Sequence, residues 1–414
     1  MRLYQAELKR IIKLRSTLIL LVIAVLISAF LAIEPITFMK IENEEGKDLK
    51  GKDAIRSMQE ICSPSYGEIT PDRLKEALKT YQELEKKYGG LEYGMPNPDV
   101  FPMDIYREKL FPVEPLLRQI ELRYTEIVNG ARVPRPLEEI KLEEIDDFYE
   151  QGLLSLDQLA EIENVSEAQK KKAAEMYSGV TKPFYYSGFY DVQVLEYIMF
   201  YVLLIVLIGI LLSSTVFSKD YESGADQIFR CSKNGKMKLA IARIAAVTTV
   251  NIGMYCVTTT IHLAISYWAF GTSYFESSVW MYGGEPLVTM NILQMHIASI
   301  LGGLLSLLAG SGMAYFISSK MEKSAPSIAI AFLLFLSPIV IYYAAGGNNW
   351  LTAILPTGGV GIHTSMYYTI CDYRLLNIGS CCFWTPQVTM TFTLLWIPVF
   401  MILAGRSYCK HKIR

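Results

Sequence analysis

The sequence predicts an α-helical polytopic membrane protein with six transmembrane helices and a large, mostly helical extracytoplasmic domain between helices 1 and 2. Two observations carry this reading. Six stretches, at 16–33, 197–218, 244–275, 286–319, 324–371 and 375–405, contain no Asp, Glu, Lys or Arg. Each can hold a helix of the roughly 20 apolar residues that cross a hydrocarbon core. The basic residues are also unevenly spread. Intervals 1–15, 219–243, 320–323 and 406–414 hold 17 of the 39 Lys and Arg, against only Glu7, Asp220, Glu222, Asp226 and Glu322. Such intervals stay cytoplasmic, so both termini lie inside. Residues 38–192 hold 21 basic and 31 acidic residues, a balance of −10, and long domains cross regardless of charge. The net charge of −2 averages these two populations and decides nothing.

Residues 1–16 read as a cytoplasmic amphipathic helix, because Tyr4, Leu8, Ile11 and Ile12 recur at helical spacing with basic residues between them. Transmembrane helix 1 follows at 17–36. Its apolar core exceeds a signal h-region, and no small-x-small site precedes Glu34 and Pro35, so it reads as a retained helix.

The extracytoplasmic domain takes residues 37–192. Leu74, Ala77, Leu78, Tyr81, Leu84 and Tyr88 mark a helix begun by Thr70 and Pro71 and stopped by Gly89. Leu116, Leu117, Ile120, Tyr124, Ile127 and Val128 predict a second, ending at Asn129 and Gly130. Leu142, Ile145, Phe148 and Tyr149 predict a third. Ser155 with Gln158, and Ser166 with Gln169, have capping-box spacing ahead of two more. Pro96, Pro98, Pro102, Pro112 and Pro115 interrupt regular structure between the first two helices. Beyond the domain, transmembrane helices are expected at 193–218, 239–270, 289–318, 326–345 and 387–405. A coupling helix at 219–238, an outer loop at 271–288, a cytoplasmic loop at 319–325, an outer segment at 346–386 and a cytoplasmic tail at 406–414 separate or follow them.

The segment VFSKDYESGADQIFRCSKNGKMKLAIARIAA, residues 216–246, is the most informative local sequence. It is polar, breaks at Ser223 and Gly224, carries a short helix with Ile228 and Phe229, and re-enters the membrane behind basic residues. It resembles the permease subunits of ABC type-2 exporters at the same place. There the pattern is an aromatic, an acid with Glu close by, a Gly, a short helix and a re-entering base. Those roles fall on Phe217, Asp220, Glu222, Gly224, residues 226–231, and Lys238 or Arg243. Ala225 departs from the family's usual Thr. The order of elements resembles that family along the whole chain.

The resemblance implies that Tyr221, Glu222, Ser223, Gly224, Asp226, Gln227, Ile228, Phe229 and Arg230 contact an ATPase. Glu222, Asp226 and Arg230 recur four apart, as on one charged helix face. It also implies that the segment before the last span folds back into the outer leaflet. Pro356, Gly358, Gly359 and Gly361 break an apolar run too long for one helix, and non-helical backbone at that depth needs protein or water partners. An ordinary outer loop anchored by Trp350 and Tyr367 is the alternative. Gly302, Ser306, Gly310 and Ala314 form a ridge of small residues on which another helix can pack closely, within the chain or between chains.

Catalytic and metal sites are not signalled. Gly235-Lys236-Met237 lacks the upstream Gly and the hydroxyl of a phosphate loop, so ATP and Mg belong to a partner chain. An intramembrane protease would need Ser311 beside His262 or His296, which the spacing does not enforce. Mid-span charges typical of ion-coupled transporters are missing. Seven scattered cysteines suggest no redox framework, with Cys371 to Cys381 or Cys382 as the open disulfide pairing.

The expectation is an exporter permease, itself not an enzyme, in a bacterial plasma membrane. Its partners would be a cytoplasmic ABC ATPase, a second permease copy or homologous permease, and the lipid bilayer, with no nucleic acid. Its substrate would be amphipathic, such as a peptide or lipid-like molecule. A membrane receptor sensing an extracellular ligand is the rival from another class.

Overall fold

The computed structural model describes residues 2–42, 47–92, 95–189, 192–232 and 234–411. Lys233 of the coupling segment and residues 412–414 of the tail lie outside the described residues. Among the described residues, six helices are long and apolar enough to cross a membrane.

At the N-terminus, α1 (Arg2–Ile12) buries Glu7 and Ile11. The first span, α2 (Arg15–Phe38), leaves Leu18, Ile19, Val22, Leu26 and Phe30 exposed along one side, the surface that acyl chains would cover. Its other side packs Ala24 and Leu31 into the bundle.

A domain follows α2, containing α3 (Lys52–Ile61), α4 (Pro71–Tyr88), α5 (Glu114–Arg123), α6 (Phe148–Ile162) and α7 (Glu167–Ser178). α4 buries Leu74, Ala77, Leu78 and Tyr81, the apolar face that the spacing marks. Three expectations fail here. The second helix stops at Arg123, and Thr125–Val128 pairs with Ala131–Pro134 as an antiparallel hairpin. Asn129 and Gly130 supply the positive φ of 53° and 78° that the tight turn needs, and β-branched residues precede them. Local turn chemistry thus overrides an apolar spacing that also suits a helix. Residues 142–147 form a 3-10 turn leading directly into α6, so Ser155 lies inside that helix and caps nothing. Pro115 sits in the first turn of α5, where a missing N–H costs little. Ser166 does cap α7, accepting the N–H of Gln169 at 3.3 Å.

The second span, α8 (Val192–Ser213), leads to α9 (Ser218–Ser223) and α10 (Ala225–Cys231). The remaining spans are α11 (Met237–Phe270), α12 (Ile292–Ser318), α13 (Ser324–Ala344) and α16 (Thr385–Lys410). Between α13 and α16 lie two short helices, α14 (Trp350–Ile354) and α15 (Met366–Cys371), and a hairpin pairing Leu375–Ile378 with Cys381–Trp384. Within the bundle α12 packs against α8 and α16, and α11 against α1 and α2. The described cysteines are all free thiols, and the buried Cys371 sulfur lies 3.5 Å from that of Met295.

The molecule has two ends, named here by what they carry. α1, α9, α10 and the C-terminal end of α16 share the elbow face. The domain sits at the opposite end, on the 271–291 loop and the 375–384 hairpin. One apolar core runs from Leu74 and Phe148 through Trp280 to Tyr367 and Leu375, joining domain to bundle. Polar contacts reinforce the joint: Gln59 Nε2 donates to the Phe270 carbonyl at 2.7 Å and Gln169 Nε2 to that of Leu375 at 3.0 Å.

Candidate functional site

The elbow forms because the apolar run of α8 ends and polar groups of a neighbouring helix receive the chain. The Phe217 and Ser218 N–H groups donate to Ser318 Oγ of α12 at 2.9 and 3.0 Å. α9 then ends at Gly224, whose φ of 70° is left-handed and suits glycine. The chain changes direction there, so Glu222 does not share a helix face with Asp226 and Arg230. That correction follows from the backbone: a face read at four-residue spacing requires one uninterrupted helix.

The charged side of α10 also points inward. Arg230 donates to the carbonyls of Tyr408 and His411 at 2.5 and 3.1 Å and meets Asp226 at 3.5 Å. Its guanidinium lies 4.6 Å from the centre of the Tyr408 ring. Tyr221 stacks on His411 with ring centroids 4.0 Å apart. Glu222 is exposed and accepts the Ser324 N–H at 3.1 Å, holding the start of α13. Gln227 and Ile228 are left outward, Ile228 with 76% of its surface exposed. The outward side of α10 is therefore short and uncharged, and Phe229 is turned beneath it.

Below the elbow lies a four-member ion cluster. Arg243 of α11 is 0% exposed and pairs with Asp220 and, at 3.5 Å, with Glu7. Arg10 meets Glu7 at 2.7 Å and Asp220 at 3.5 Å. The Arg243 guanidinium also faces the Phe229 ring at 5.0 Å. Two carboxylates and two guanidinium groups thus join α1, α9, α10 and α11. Of the two bases considered for re-entry, Arg243 enters the cluster while Lys238 is exposed. Glu7 and Arg10 are the members that sequence reasoning did not assign to the elbow. The signal for Glu7 is a single acid among the bases of α1, four residues before the buried Ile11.

The ridge and the breaker-rich segment meet each other. A Cβ on Gly302 would lie 2.4 Å from Met366 Cγ, and one on Gly310 would lie 2.6 Å from Ile210 and 3.1 Å from Thr357. A Cβ on Gly359 would lie 3.5 Å from Ser306 Oγ. Ala314 is fully buried farther along the same helix. These small residues let an irregular segment of the same chain approach α12.

Pro356, Gly358, Gly359 and Gly361 are all buried. Gly358 is required sterically, since a Cβ there would meet the Thr352 carbonyl at 2.2 Å. Trp396 Nε1 donates to the Ile354 carbonyl at 2.6 Å, and Thr357 Oγ1 to the Phe335 carbonyl at 3.3 Å. Trp396 stands eleven residues into α16, roughly 16 Å along its axis. The turn thus lies deep in the bundle with protein partners for its backbone, the condition that permits non-helical chain there.

Ser311 accepts a hydrogen bond from Asn251 Nδ2 at 2.9 Å, while the same amide nitrogen reaches Ser213 Oγ at 3.0 Å and the Gly209 carbonyl at 3.2 Å. His262 lies eleven residues beyond Asn251 on α11, and His296 fifteen residues before Ser311 on α12. At about 1.5 Å per residue neither can act as base for that serine. Asn251 instead ties three spans together, a polar contact the apolar pattern hides.

α12 links two of these features: Ser318 receives the elbow, and Gly310, two turns away, lies against Thr357 of the 356–361 turn. A family model described as ABC-2 family transporter protein matches residues 1–412. No curated protein and no solved structure matches the chain. With six membrane-crossing helices and a match along nearly its whole length, the chain belongs to the ABC-2 family of transporter proteins, as a membrane transport subunit whose family implies an ABC ATPase partner.

Proposed function

We propose that this chain is the permease of an ATP-driven exporter that moves an amphipathic molecule, such as a peptide or a lipid-like compound, out of a bacterial cell. The elbow face is cytoplasmic in this reading, because it carries the basic intervals. ATP and Mg sit on the partner ATPase, and a second permease copy or homologous permease completes the path.

One observation carries the reading. The elbow is rooted in four helices by Ser318, Arg230 and the Glu7–Arg10–Asp220–Arg243 cluster, yet leaves Gln227 and Ile228 facing outward. A push at Ile228 is therefore delivered to α11 and α12 rather than absorbed by a loose loop. Only a partner that binds two arrangements of the bundle unequally can drive a cycle this way.

The test is Ile228→Asp in the full-length chain, expressed with its ATPase. Co-purified ATPase and its hydrolysis rate are expected to fall about tenfold, the scale of losing one interface hot spot. Lys172→Asp on the domain is the control. Undiminished co-purification of Ile228→Asp would put the contact elsewhere and favour a receptor.

A further inference from the structure

An open cleft of about 670 Å³ lies beside the ion cluster, between α1 and α2 on one side and α8, α9 and the start of α13 on the other. Its size falls within the range of small-molecule sites. Leu14, Leu20, Leu211, Leu212 and Ile328 form its apolar wall. Three basic residues, Arg10, Lys219 and Arg243, and two acids, Asp220 and Glu222, line its polar end. Arg243 and Asp220 neutralise each other, and the exposed Glu222 is engaged with the Ser324 N–H. Lys219 is exposed and has no ion pair within 4.0 Å among the described residues. Arg10 keeps 39% of its side chain exposed beside it.

With Glu7 held at 2.7 Å by Arg10, the three bases and three acids at the polar end balance, and the excess positive charge comes from Lys13 and Arg15, both exposed, which flank the same turn. The apolar wall opens to the outside of the bundle, where Ile328 and, one turn beyond Leu20 on α2, Ile23 are exposed. A soluble anion would match the first feature only. An occupant with a negative head and a hydrocarbon tail matches both.

We propose that the cleft holds one anionic phospholipid from the leaflet at the elbow face, its phosphate at Arg10 and Lys219 and an acyl chain against Leu20, Leu211 and Ile328. The lipid is a bound component rather than cargo, so the proposal stands apart from the transport reading. Because the cleft wall includes Asp220, Glu222 and Ser223, occupancy and elbow position are thermodynamically linked.

The experiment uses the full-length protein in nanodiscs of equal phosphatidylglycerol and phosphatidylcholine, with retained lipid read by native mass spectrometry. Phosphatidylglycerol is expected to be retained in excess. Lys219→Glu should lower the ratio of the two lipids about fivefold or more, given the attraction of each basic residue near a lipid surface. Leu212→Trp should remove the retained lipid by filling the cleft without changing charge, and Lys86→Glu on the domain should change nothing. Equal retention of both lipids by the wild type, or retention insensitive to Lys219→Glu and Leu212→Trp, would overturn the proposal. Displacement by millimolar glycerol 3-phosphate alone would make the occupant a soluble phosphate and overturn the lipid assignment. Should either variant fold poorly, a phosphatidylglycerol with a photoreactive tail decides on the wild type. Crosslinks at 14–20 and 211–216 support the site, and crosslinks confined to other surfaces reject it.

Discussion

Two arginines are buried at opposite ends of the molecule, and they are held in different ways. Arg243, at the elbow face, is 0% exposed and sits between the carboxylates of Glu7 and Asp220, with Arg10 sharing both. Arg123, where the domain meets the bundle, is 4% exposed and has no carboxylate within ion-pair distance among the described residues. Its guanidinium lies 5.1, 5.1 and 5.3 Å from the rings of Phe148, Phe184 and Trp280, and it donates to Gln119 Oε1 at 2.8 Å. Gln119 in turn donates to the Met281 carbonyl at 3.1 Å. Burial pushes Arg123 down to about 10, still charged at neutral pH. The elbow therefore keeps its charge by counter-charge, with several pairings available among four groups. Arg123 keeps its charge by ring faces and amides in one fixed arrangement, although the Arg132–Glu285 ion pair also crosses the domain joint. The first suits the shift that the proposed coupling to an ATPase requires. The second suits a rigid seat.

Removing one charge should separate the two ends most sharply. Arg243→Met leaves Glu7 and Asp220 buried with only Arg10 between them, a loss of about 3–5 kcal/mol for a broken buried pair. The apparent melting temperature of the full-length protein in detergent is expected to fall steeply. Combining Arg243→Met with Asp220→Asn should recover much of the loss, because Glu7 and Arg10 then remain as one pair at 2.7 Å and no charge is left unpaired. If Arg243→Met melted like the wild type, counter-charge would not be what holds the elbow.

Arg123→Met makes the matched perturbation at the domain joint. It removes a charged hydrogen bond and the ring contacts but strands no carboxylate, so about 2 kcal/mol is expected, less than for Arg243→Met. Arg123→Lys should rescue little, since an ammonium lacks the planar fork that meets Gln119 and the rings together. Near-ultraviolet circular dichroism of both variants, read against temperature, checks this through Trp280. A loss exceeding that of Arg243→Met would reverse the comparison.

The two ends were also unequally legible in the sequence. The six spans follow from charge-free stretches and carry the fold class with them, because backbone in hydrocarbon must satisfy itself as helix. α11 nevertheless begins at Met237, before its charge-free stretch, which is how Arg243 comes to lie in its second turn. At the elbow the pattern of Asp220, Glu222 and Gly224 marks the place but not the directions. A four-residue spacing sees Glu222, Asp226 and Arg230 as neighbours, whereas the left-handed Gly224 parts them. Glu7 stands more than two hundred residues from Asp220 and Arg243, so no local window relates them. The domain joint is harder still. Trp280 reads as an outer-loop aromatic, and its stacking on Phe184 at 5.2 Å depends on tertiary packing alone. Asn129-Gly130 was readable as a hairpin turn, but it stood after an apolar spacing that fits a helix equally.

Glu121 sharpens the comparison at the domain joint by the smallest step. It lies two residues from Arg123 on α5, yet the two do not pair. Burial raises the Glu121 carboxyl to about 7, with Glu114 adding to the effect and Arg118 opposing it. An acid whose folded value exceeds its unfolded value of 4.5 is penalised in the folded state as it ionises. Below 4.5 both states are protonated and the penalty is absent; it grows as pH rises toward about 7 and is constant above that. The folded protein is thus expected to gain stability from Glu121→Gln at pH 8 and to gain none at pH 4. Full-length wild type and Glu121→Gln, melted in the same detergent across that range, should diverge progressively between those two values. Parallel curves would mean that Glu121 finds a counter-charge after all, and it would then be held as the elbow's carboxylates are rather than as Arg123 is.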